Sequence, residues 1–460
     1  MIRTLLVSAA LLGAPAFAQT AQLPLTSSAL HADAIAVDEA IATLEAHGLD
    51  PADYREGDPE ARWTRAALHL LHGKLDPKTV EPDWTAKRRE RDLGDIYDRH
   101  LADGTLATSL GELAPAYPEY AALKAELARL RTLQETPRMD RARPTLRPGD
   151  RSDAIASVQA QLQLPGISTY DPATVEAVKA FQTASDLDSD GIIGPATWRA
   201  LDRAADVRAR IDQVRVNMER WRWLPDDLGR RHLRANIAGF KVTAYRDSVP
   251  ERTHLAIVGK PFRKTPVFSD QVDYIVLNPW WETPYNLARL DKLPLFKRDP
   301  VAVERLGFQV LSGNELVTNV DWNAIPDATM PYRIRQAPGP ANALGQVKIM
   351  FPNPHNVYLH DTPVRGLFAQ RQRAFSSGCI RTQDPLALSA WLLEDTPGWD
   401  AARIDAAIAT GKETRVNLKA PVPVHILYFT TEVDAGGVRY LDDVYERDAK
   451  VLEGLNERRS

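Results

Sequence analysis

The segment Arg373-Ala-Phe-Ser-Ser-Gly-Cys-Ile-Arg381 contains Cys379, the single cysteine of this 460-residue chain. An ionised thiol is the strongest nucleophile among protein side chains. Two serines and a glycine precede Cys379, which favours a turn with exposed backbone N–H groups, whereas structural cysteines more often lie in apolar runs. We therefore predict that Cys379 is a catalytic nucleophile and that the backbone at Gly378 helps to stabilise an oxyanion.

A nucleophilic cysteine needs a base, and His360 is the best candidate upstream of it. Asn356–His360 is typical of a short strand, and Asp361-Thr-Pro363 turns the chain at its end. His355 is the other candidate, but an odd spacing along a strand sends the two rings to opposite faces. We predict that His360 holds or receives the proton of the Cys379 thiol.

These residues resemble the signature of the L,D-transpeptidase (YkuD) catalytic domain, in its large YcbB-like branch. Further segments that fit the resemblance are Asn278–Trp281, Arg335–Gly345 and Phe351–Asn353. The commoner family pattern has a histidine between the serine and the glycine of the cysteine turn, whereas this chain has Ser377 there. The resemblance extends over most of residues 210–430 and implies a β-rich catalytic domain.

The resemblance also implies a reaction. The donor would be a peptidoglycan stem tetrapeptide, cut after the L-centre of meso-diaminopimelate with loss of the terminal D-alanine. An amine on a neighbouring stem would take the acyl group from Cys379, which gives a 3→3 cross-link, and carbapenems would acylate the same thiol. This chemistry requires neither a metal nor an organic cofactor.

Four residues in the segments that carry the resemblance are candidates for substrate binding: Ser376, Ser377, Arg381 and Asn342. A serine hydroxyl in the cysteine turn could orient the substrate or the histidine, although serines are also common turn formers. The Arg381 guanidinium could bind a substrate carboxylate through two hydrogen bonds, or it could form an ordinary surface salt bridge.

The whole chain predicts a multidomain α+β protein. Residues 19–135 are predicted to form a helical scaffold domain, because apolar residues such as Trp63, Ala66 and Leu70 recur at helical spacing. Pairs of aspartate and proline predict helix starts at Asp50-Pro51, Asp58-Pro59 and Asp76-Pro77. This part of the chain resembles the scaffold region of YcbB-like enzymes.

Residues 146–202 are predicted to form a compact three-helix unit that resembles a peptidoglycan-binding domain. Asp171 is placed to cap its second helix. Phe181 and Trp198 fall on inward-facing helical positions, which predicts that they belong to the core rather than to a sugar-binding platform. Residues 134–147 are basic and contain prolines, so we expect a solvated linker before this unit.

The catalytic domain is predicted over residues 210–432, after a helix whose apolar stripe begins at Val207. Its first predicted strands are His232–Ile237, Lys241–Tyr245, Leu255–Val258 and Tyr274–Leu277. Residues 280–334 have little strand alternation, which indicates either a capping lid over the site or a structural excursion. Residues 433–460 form the remaining C-terminal segment.

Residues 1–18 are typical of a cleaved signal peptide. Arg3 supplies the positive end, Leu5–Pro15 is apolar, and Ala16-Phe-Ala18 is a small-x-small cleavage site. Export to the periplasm is therefore expected. No later stretch approaches the roughly 18 apolar residues of a membrane span. The net charge of −4 argues against a general nucleic-acid binder.

Two alternative functions remain open on the sequence alone. Water instead of an amine could accept the acyl group, which would make the protein an L,D-carboxypeptidase or a cross-link endopeptidase. The protein could also bind peptidoglycan through residues 146–202 without catalysis, if the C-terminal domain were degenerate. The presence of both His360 and Cys379 favours an enzyme over this second alternative.

Overall fold

A computed structural model of the chain describes residues 27–132, 143–162, 164–205 and 207–457. The predicted signal peptide and most of the predicted linker lie outside these residues. A helical domain, a three-helix unit and a β-rich domain with an insertion follow one another along the chain, which confirms the predicted α+β architecture. In the described part of the chain, no helix is both long and apolar enough to cross a membrane.

Local capping and a shared apolar core form the helical domain. Its helices are α1 (Ser27–Ala42), α2 (Pro59–His72), α3 (Pro77–Val80), α4 (Leu93–Ala102) and α5 (Pro118–Arg131), with 3₁₀ turns at Thr43–His47, Pro51–Tyr54 and Leu106–Leu113. The carboxylates of Asp50, Asp58 and Asp76 each accept a hydrogen bond from the backbone of the next turn, which confirms the predicted helix starts. Trp63 and Leu70 are fully buried, as their spacing predicts.

The second unit contains three helices around a small core of its own. They are α6 (Asp153–Gln161), α7 (Pro172–Ala184) and α8 (Pro195–Ala205). The Asp171 carboxylate accepts a hydrogen bond from the Thr174 N–H at 2.8 Å and caps α7, as predicted. Trp198 lies in the core of this unit and Phe181 packs at the edge of that core, so neither ring forms a sugar platform.

Helix α9 (Val207–Arg222) leads from this unit into the β-rich domain and shares one core with the helical domain and the barrel. The first strands are β1 (Arg231–Asn236), β2 (Lys241–Arg246), β3 (Val249–Gly259) and β4 (Phe268–Leu277). They coincide with the four predicted strands, but β3 and β4 begin earlier than their hydrophobic patterns indicate.

The insertion after β4 is a folded lobe. It contains β5 (Trp281–Glu282), α10 (Tyr285–Leu287), a π-turn (Ala288–Lys292), α11 (Leu293–Arg298), α12 (Ala302–Arg305), β6 (Phe308–Ser312), β7 (Glu315–Leu316), a 3₁₀ turn (Trp322–Ala324) and β8 (Arg333–Gln336). Its strands pair in the order β5-β8-β6-β7, and Phe296 and Ile334 lie in a separate apolar core. The strands of this lobe are two to five residues long, which is too short to display an alternating pattern in the sequence, and the predicted role of the insertion as a lid stays a prediction.

The remaining strands close the main sheet into a barrel. They are β9 (Val347–Met350), β10 (Leu359–His360), β11 (Ala374–Ser376), β12 (Ile380–Thr382) and β13 (Thr414–Leu427), with a 3₁₀ turn at Arg365–Ala369 and helices α13 (Pro385–Leu393) and α14 (Ala401–Ala409). The strand order is β11-β3-β12-β10-β9-β4-β13-β1-β2, and β2 pairs back to β3. Because β3 pairs on both sides, the apolar faces of these strands enclose one core.

The C-terminal segment returns to the helical domain. It contains the hairpin β14 (Thr431–Asp434) and β15 (Gly437–Tyr440), followed by α15 (Asp448–Asn456). The buried Lys74 ammonium donates to the Leu455 carbonyl oxygen at 2.8 Å and to the Asp53 carboxylate at 2.7 Å. Helix α15 therefore joins the barrel to the helical domain.

Candidate active site

Three neighbouring strands of the barrel position the candidate site. On β10, His360 pairs with Lys348 of β9 and with Arg381 of β12. The preceding residue, Leu359, is buried in the barrel core together with its partners on both sides. Since side chains alternate along a strand, His360, Lys348 and Arg381 lie together on the outer face of the barrel.

Tyr358 and Cys379 each lie two residues before a residue of this outer face, His360 and Arg381 respectively, and belong to the same face. The Ile380 N–H donates to the Tyr358 carbonyl oxygen at 3.1 Å, which places Cys379 beside Tyr358. The half-buried Cys379 thiol lies 3.5 Å from the Asn356 carbonyl oxygen. Burial raises the pKa of this thiol, although hydrogen bonds with Tyr358 and two nearby cations act in the opposite direction. The thiol is therefore protonated at neutral pH.

Ser376 holds the turn before the thiol. Its hydroxyl donates to the Cys379 carbonyl oxygen at 2.5 Å and accepts from the Gly378 N–H at 3.1 Å. The φ angle of Gly378 is +119°, a conformation that glycine adopts far more readily than other residues. The Gly378 N–H donates to Ser376 in this structure, and its predicted role as an oxyanion donor stays a prediction. The Cys379 N–H has no hydrogen-bond partner among the described residues.

Ser377 stands where the commoner family pattern has a histidine, and it faces the insertion. Its hydroxyl accepts a hydrogen bond from Arg263 Nη1 at 3.0 Å. Arg263 also donates to both carboxylate oxygens of Asp291, at 2.8 and 3.1 Å. Asp291 belongs to the π-turn of the insertion. Ser377 therefore links the cysteine turn to the insertion, and the described residues include no hydrogen bond between Ser377 and His360.

His360 is buried, and one contact determines its tautomer. Nδ1 lies 2.5 Å from the Asp361 carbonyl oxygen, which can only accept, so Nδ1 carries the proton and Nε2 is an acceptor. Burial, together with the charges of Arg381 and Lys348, lowers the pKa of His360 to about 3, and the hydrogen bond to Asp361 acts in the opposite direction. His360 and Cys379 share the outer face, but within the described residues they form no hydrogen bond with each other.

His355 lies away from the thiol. Its ring packs against Phe268 with centroids 5.0 Å apart, and its Nδ1 is 3.7 Å from the carboxylate of Asp83 in the helical domain. The predicted strand over Asn356–His360 is shorter than expected, because only Leu359–His360 is paired. The two histidines nevertheless have separate surroundings, which leaves His360 as the histidine nearer to the thiol.

Asn342 does not reach the site. It is 1% exposed, and its amide nitrogen donates to the backbone carbonyl oxygens of Pro279, Gln336 and Ala337. Its side-chain oxygen accepts from the Leu344 N–H at 2.8 Å. The predicted role of Asn342 in substrate binding is wrong, because its buried amide is held by backbone groups of its own loop and of Pro279 after β4.

Two site residues were missed by the sequence analysis, Tyr358 and Lys348. Tyr358 lies two residues before His360, and the two-residue period of a strand places both rings on one face, 5.6 Å apart between centroids. This spacing was visible in the sequence. Lys348 lies on another strand, with its ammonium 4.1 Å from the Tyr358 ring centroid. Only the strand pairing brings it to the site.

The site lies where the barrel meets the insertion. Tyr358 belongs to the core of the insertion, and Cys379 packs against the same cluster. The insertion therefore borders one side of the thiol. In the part of the chain that the structure describes, no three His, Cys, Asp or Glu side chains are arranged to hold a metal ion.

Together these features define a closed β-barrel domain that carries a thiol and an imidazole on one outer face, beside a folded insertion. Residues 230–415 match the YkuD family model, described as "L,D-transpeptidase catalytic domain". Residues 60–127 match a "Scaffold domain", and residues 151–201 match a "Putative peptidoglycan binding domain". Residues 230–415 are thus similar to an L,D-transpeptidase catalytic domain of the YkuD family, and the two preceding segments are similar to a scaffold domain and a peptidoglycan-binding domain.

One curated relative has a corresponding name. A Haemophilus influenzae protein named "Putative L,D-transpeptidase" is 34% identical over 242 residues, which cover 52% of this chain and 48% of that protein. The chain spans about half the length of the curated relatives it matches.

Solved structures with weak overlap include an L,D-transpeptidase (residues 123–326) from Xylanimonas cellulosilytica, at 15% identity and a TM-score of 0.20 over 63% of this chain and 100% of that chain. Another is an LD transpeptidase in complex with imipenem, at 16% identity and a TM-score of 0.20 over 43% of this chain and 59% of that chain. At these TM-scores neither structure adds to the argument for this chain.

Proposed function

We propose that this protein is a cysteine-dependent L,D-transpeptidase that forms 3→3 cross-links in peptidoglycan. The observation that carries the proposal is the half-exposed Cys379 thiol, which shares one outer face with the neutral imidazole of His360 inside the segment that matches the YkuD model. The donor is a stem tetrapeptide, and the acceptor is the side-chain amine of a second stem.

The first half-reaction is acylation of the thiol. His360 Nε2 accepts the thiol proton. Nδ1 keeps its own proton and continues to donate a hydrogen bond to the Asp361 carbonyl oxygen. The Cys379 thiolate attacks the carbonyl carbon of the diaminopimelate L-centre. Hydrogen bonds between a catalytic base and its nucleophile often tighten only in the substrate complex, so the resting separation of His360 and Cys379 is compatible with this step.

The oxyanion of the tetrahedral intermediate needs hydrogen-bond donors. Among the described residues the Cys379 N–H has no hydrogen-bond partner, and the Tyr358 hydroxyl lies next to the thiol, so we assign these two groups to that role. Collapse of the intermediate breaks the peptide bond. The imidazolium returns its proton to the departing D-alanine amine, and a thioester on Cys379 remains.

The second half-reaction transfers the acyl group. The acceptor amine attacks the thioester carbonyl, and His360 removes a proton from that amine. The bond between the carbonyl carbon and sulfur then breaks, and His360 returns the proton to the Cys379 sulfur. Water in place of the amine would yield a shortened stem peptide instead of a cross-link. The peptidoglycan-binding match at residues 151–201 supports contact with the glycan, and export to the periplasm would place the enzyme beside its substrate.

Carbapenem acylation of Cys379 follows from the same proposal, because the thiolate would open the lactam ring as it opens the peptide bond. A stoichiometric mass increase on Cys379, absent from Cys379→Ala, would support this reaction.

The test uses purified protein without residues 1–18, incubated with disaccharide-tetrapeptides, with products measured by mass spectrometry. Cys379→Ala and His360→Ala are compared with His355→Ala, which removes a histidine that faces the helical domain. A dimer formed with loss of one D-alanine, absent from the first two variants and retained by the third, supports the transpeptidase. Shortened monomers alone indicate a hydrolase, and no conversion together with an unreactive thiol indicates a binding protein.

A further inference from the structure

Two cations lie on the outer face beside the thiol without an acidic partner. Lys348 and Arg381 flank His360 on its two neighbouring strands, and both are half-buried. Within the described residues, neither side chain forms a salt bridge or a hydrogen bond, and Arg381 Nε is buried without a partner. Burial lowers the pKa of each group, and Cys379 acts against that shift in both cases.

Three other buried cations of the chain have carboxylate partners, in contrast to Lys348 and Arg381. Arg222 is paired with Glu219 at 2.6 Å, Arg220 with Asp448 at 2.6 Å, and Lys74 with Asp53 at 2.7 Å. A buried charge without a partner is costly, so it normally acquires one. Glu413 is the carboxylate that raises the pKa of Lys348. It already accepts a hydrogen bond from the Trp280 N–H at 2.7 Å.

The position of Lys348 and Arg381 beside the thiol indicates which anion could bind to them. Both charges act on the Cys379 thiol, so an anion bound between them would lie near the attacking sulfur. A guanidinium binds a carboxylate through two hydrogen bonds, and an ammonium adds a point charge. In a donor that ends in D-alanine, the residue that leaves carries such a carboxylate beside the scissile bond.

We propose that Lys348 and Arg381 together bind the terminal carboxylate of the leaving residue, and so select donor peptides that are cut at their last residue. This proposal rests on the proposed acyl transfer at Cys379. Lys348 is a substrate-binding residue in this scheme and takes no part in proton transfer. An internal peptide bond, which has no carboxylate at that place, would leave both cations unpaired and would be a poor donor.

The first experiment measures the charge preference of the thiol without any need for turnover. Alkylation of Cys379 by iodoacetate and by iodoacetamide is followed by mass spectrometry, and the ratio of the two rate constants is the readout. Both reagents sense the thiolate fraction equally, but only iodoacetate carries a carboxylate. The reference is the same thiol in urea-unfolded protein, which is unambiguous because the chain has one cysteine.

We expect the folded protein to exceed the unfolded reference in this ratio by at least about fivefold, the scale of a charge-assisted contact. Lys348→Met should lower the ratio toward the reference, and Lys348→Arg should restore it. Lys419→Met removes an exposed lysine on β13 and should leave the ratio unchanged. A ratio in the folded protein equal to the reference would overturn the proposal, as would equal slowing of both reagents in Lys348→Met.

The second experiment tests the same site with substrate. Donor tetrapeptides with a free terminal carboxylate are compared with their C-terminal amides, and release of D-alanine or D-alaninamide is measured. We expect Lys348→Met to reduce kcat/KM for the acid by about tenfold or more while changing the amide little. Equal turnover of acid and amide by the unsubstituted protein would contradict the carboxylate site. If neither is turned over, the proposed acyl transfer fails, while the alkylation ratio still decides whether the anion site exists.

Discussion

The guanidinium of Arg263 binds both carboxylate oxygens of Asp291, at 2.8 and 3.1 Å, across the boundary between the barrel and the insertion. The same guanidinium donates to the Ser377 hydroxyl at 3.0 Å, two residues before the thiol. The position of the insertion and the geometry of the cysteine turn are therefore coupled through one side chain.

We expect Arg263→Ala to lower kcat/KM for cross-linking by about three- to tenfold, because misplacement of a positioned turn weakens catalysis more than it weakens folding. The pair is partly exposed, so the free energy of unfolding should fall by less than about 1 kcal/mol. Steady-state kinetics and urea denaturation measure the two effects. Arg305→Ala, which removes an exposed pair with Asp299 inside the insertion, is the matched control. A large loss of stability without a kinetic change would contradict the coupling.

The reactivity of Cys379 should rise with pH through the alkaline range. Burial raises the pKa of this thiol and holds the pKa of His360 at about 3, so the resting pair is a neutral thiol and a neutral imidazole. Iodoacetamide alkylation should therefore increase by about tenfold per unit from pH 6 to pH 8. A rate plateau between pH 5 and pH 7 would reveal a stable thiolate–imidazolium pair and would contradict this assignment.

Ser376 and Ser377 should respond differently to substitution by alanine. Ser376 is 2% exposed and makes two hydrogen bonds inside the turn, so Ser376→Ala leaves the Gly378 N–H without its acceptor. We expect a loss of about 1–3 kcal/mol in the free energy of unfolding and a lower kcat. Ser377→Ala removes only the contact with Arg263 and should cost under about 1 kcal/mol. Thermal unfolding and single-turnover acylation distinguish the two variants, and equal effects would argue against this assignment.

Glu219 should be essential to the junction of the helical domain and the barrel. Its fully buried carboxylate accepts from the Leu75 N–H at 2.8 Å and from Arg222 at 2.6 Å. Glu219→Gln would leave the Arg222 charge buried without a counter-charge, which typically costs about 3–5 kcal/mol. Urea denaturation measures the loss. Glu176→Gln, at an exposed pair on α7, should change stability by less than about 0.5 kcal/mol, and similar effects of the two variants would contradict the prediction.

Local patterns explain most of what was predicted correctly. Asp58 before Pro59 defines a helix start through a contact within a few residues, so no tertiary information is needed. The short strands of the insertion escaped prediction because they pair across distant parts of the chain, as Phe308 does with Gln336. Asn342 was misjudged for a similar reason, since its backbone partners are revealed only when the loop folds.

The sequence by itself determined which reactive side chains the protein carries and what surrounds them locally: one cysteine in a serine-glycine turn, a histidine before it, and the neighbouring helix starts and strand patterns. Tertiary structure alone decided which groups meet around the thiol. Strand pairing brings Lys348 and Arg381 to His360. The physical reason is that chemical identity belongs to single residues, whereas proximity, burial and charge pairing arise only when separate strands share one sheet.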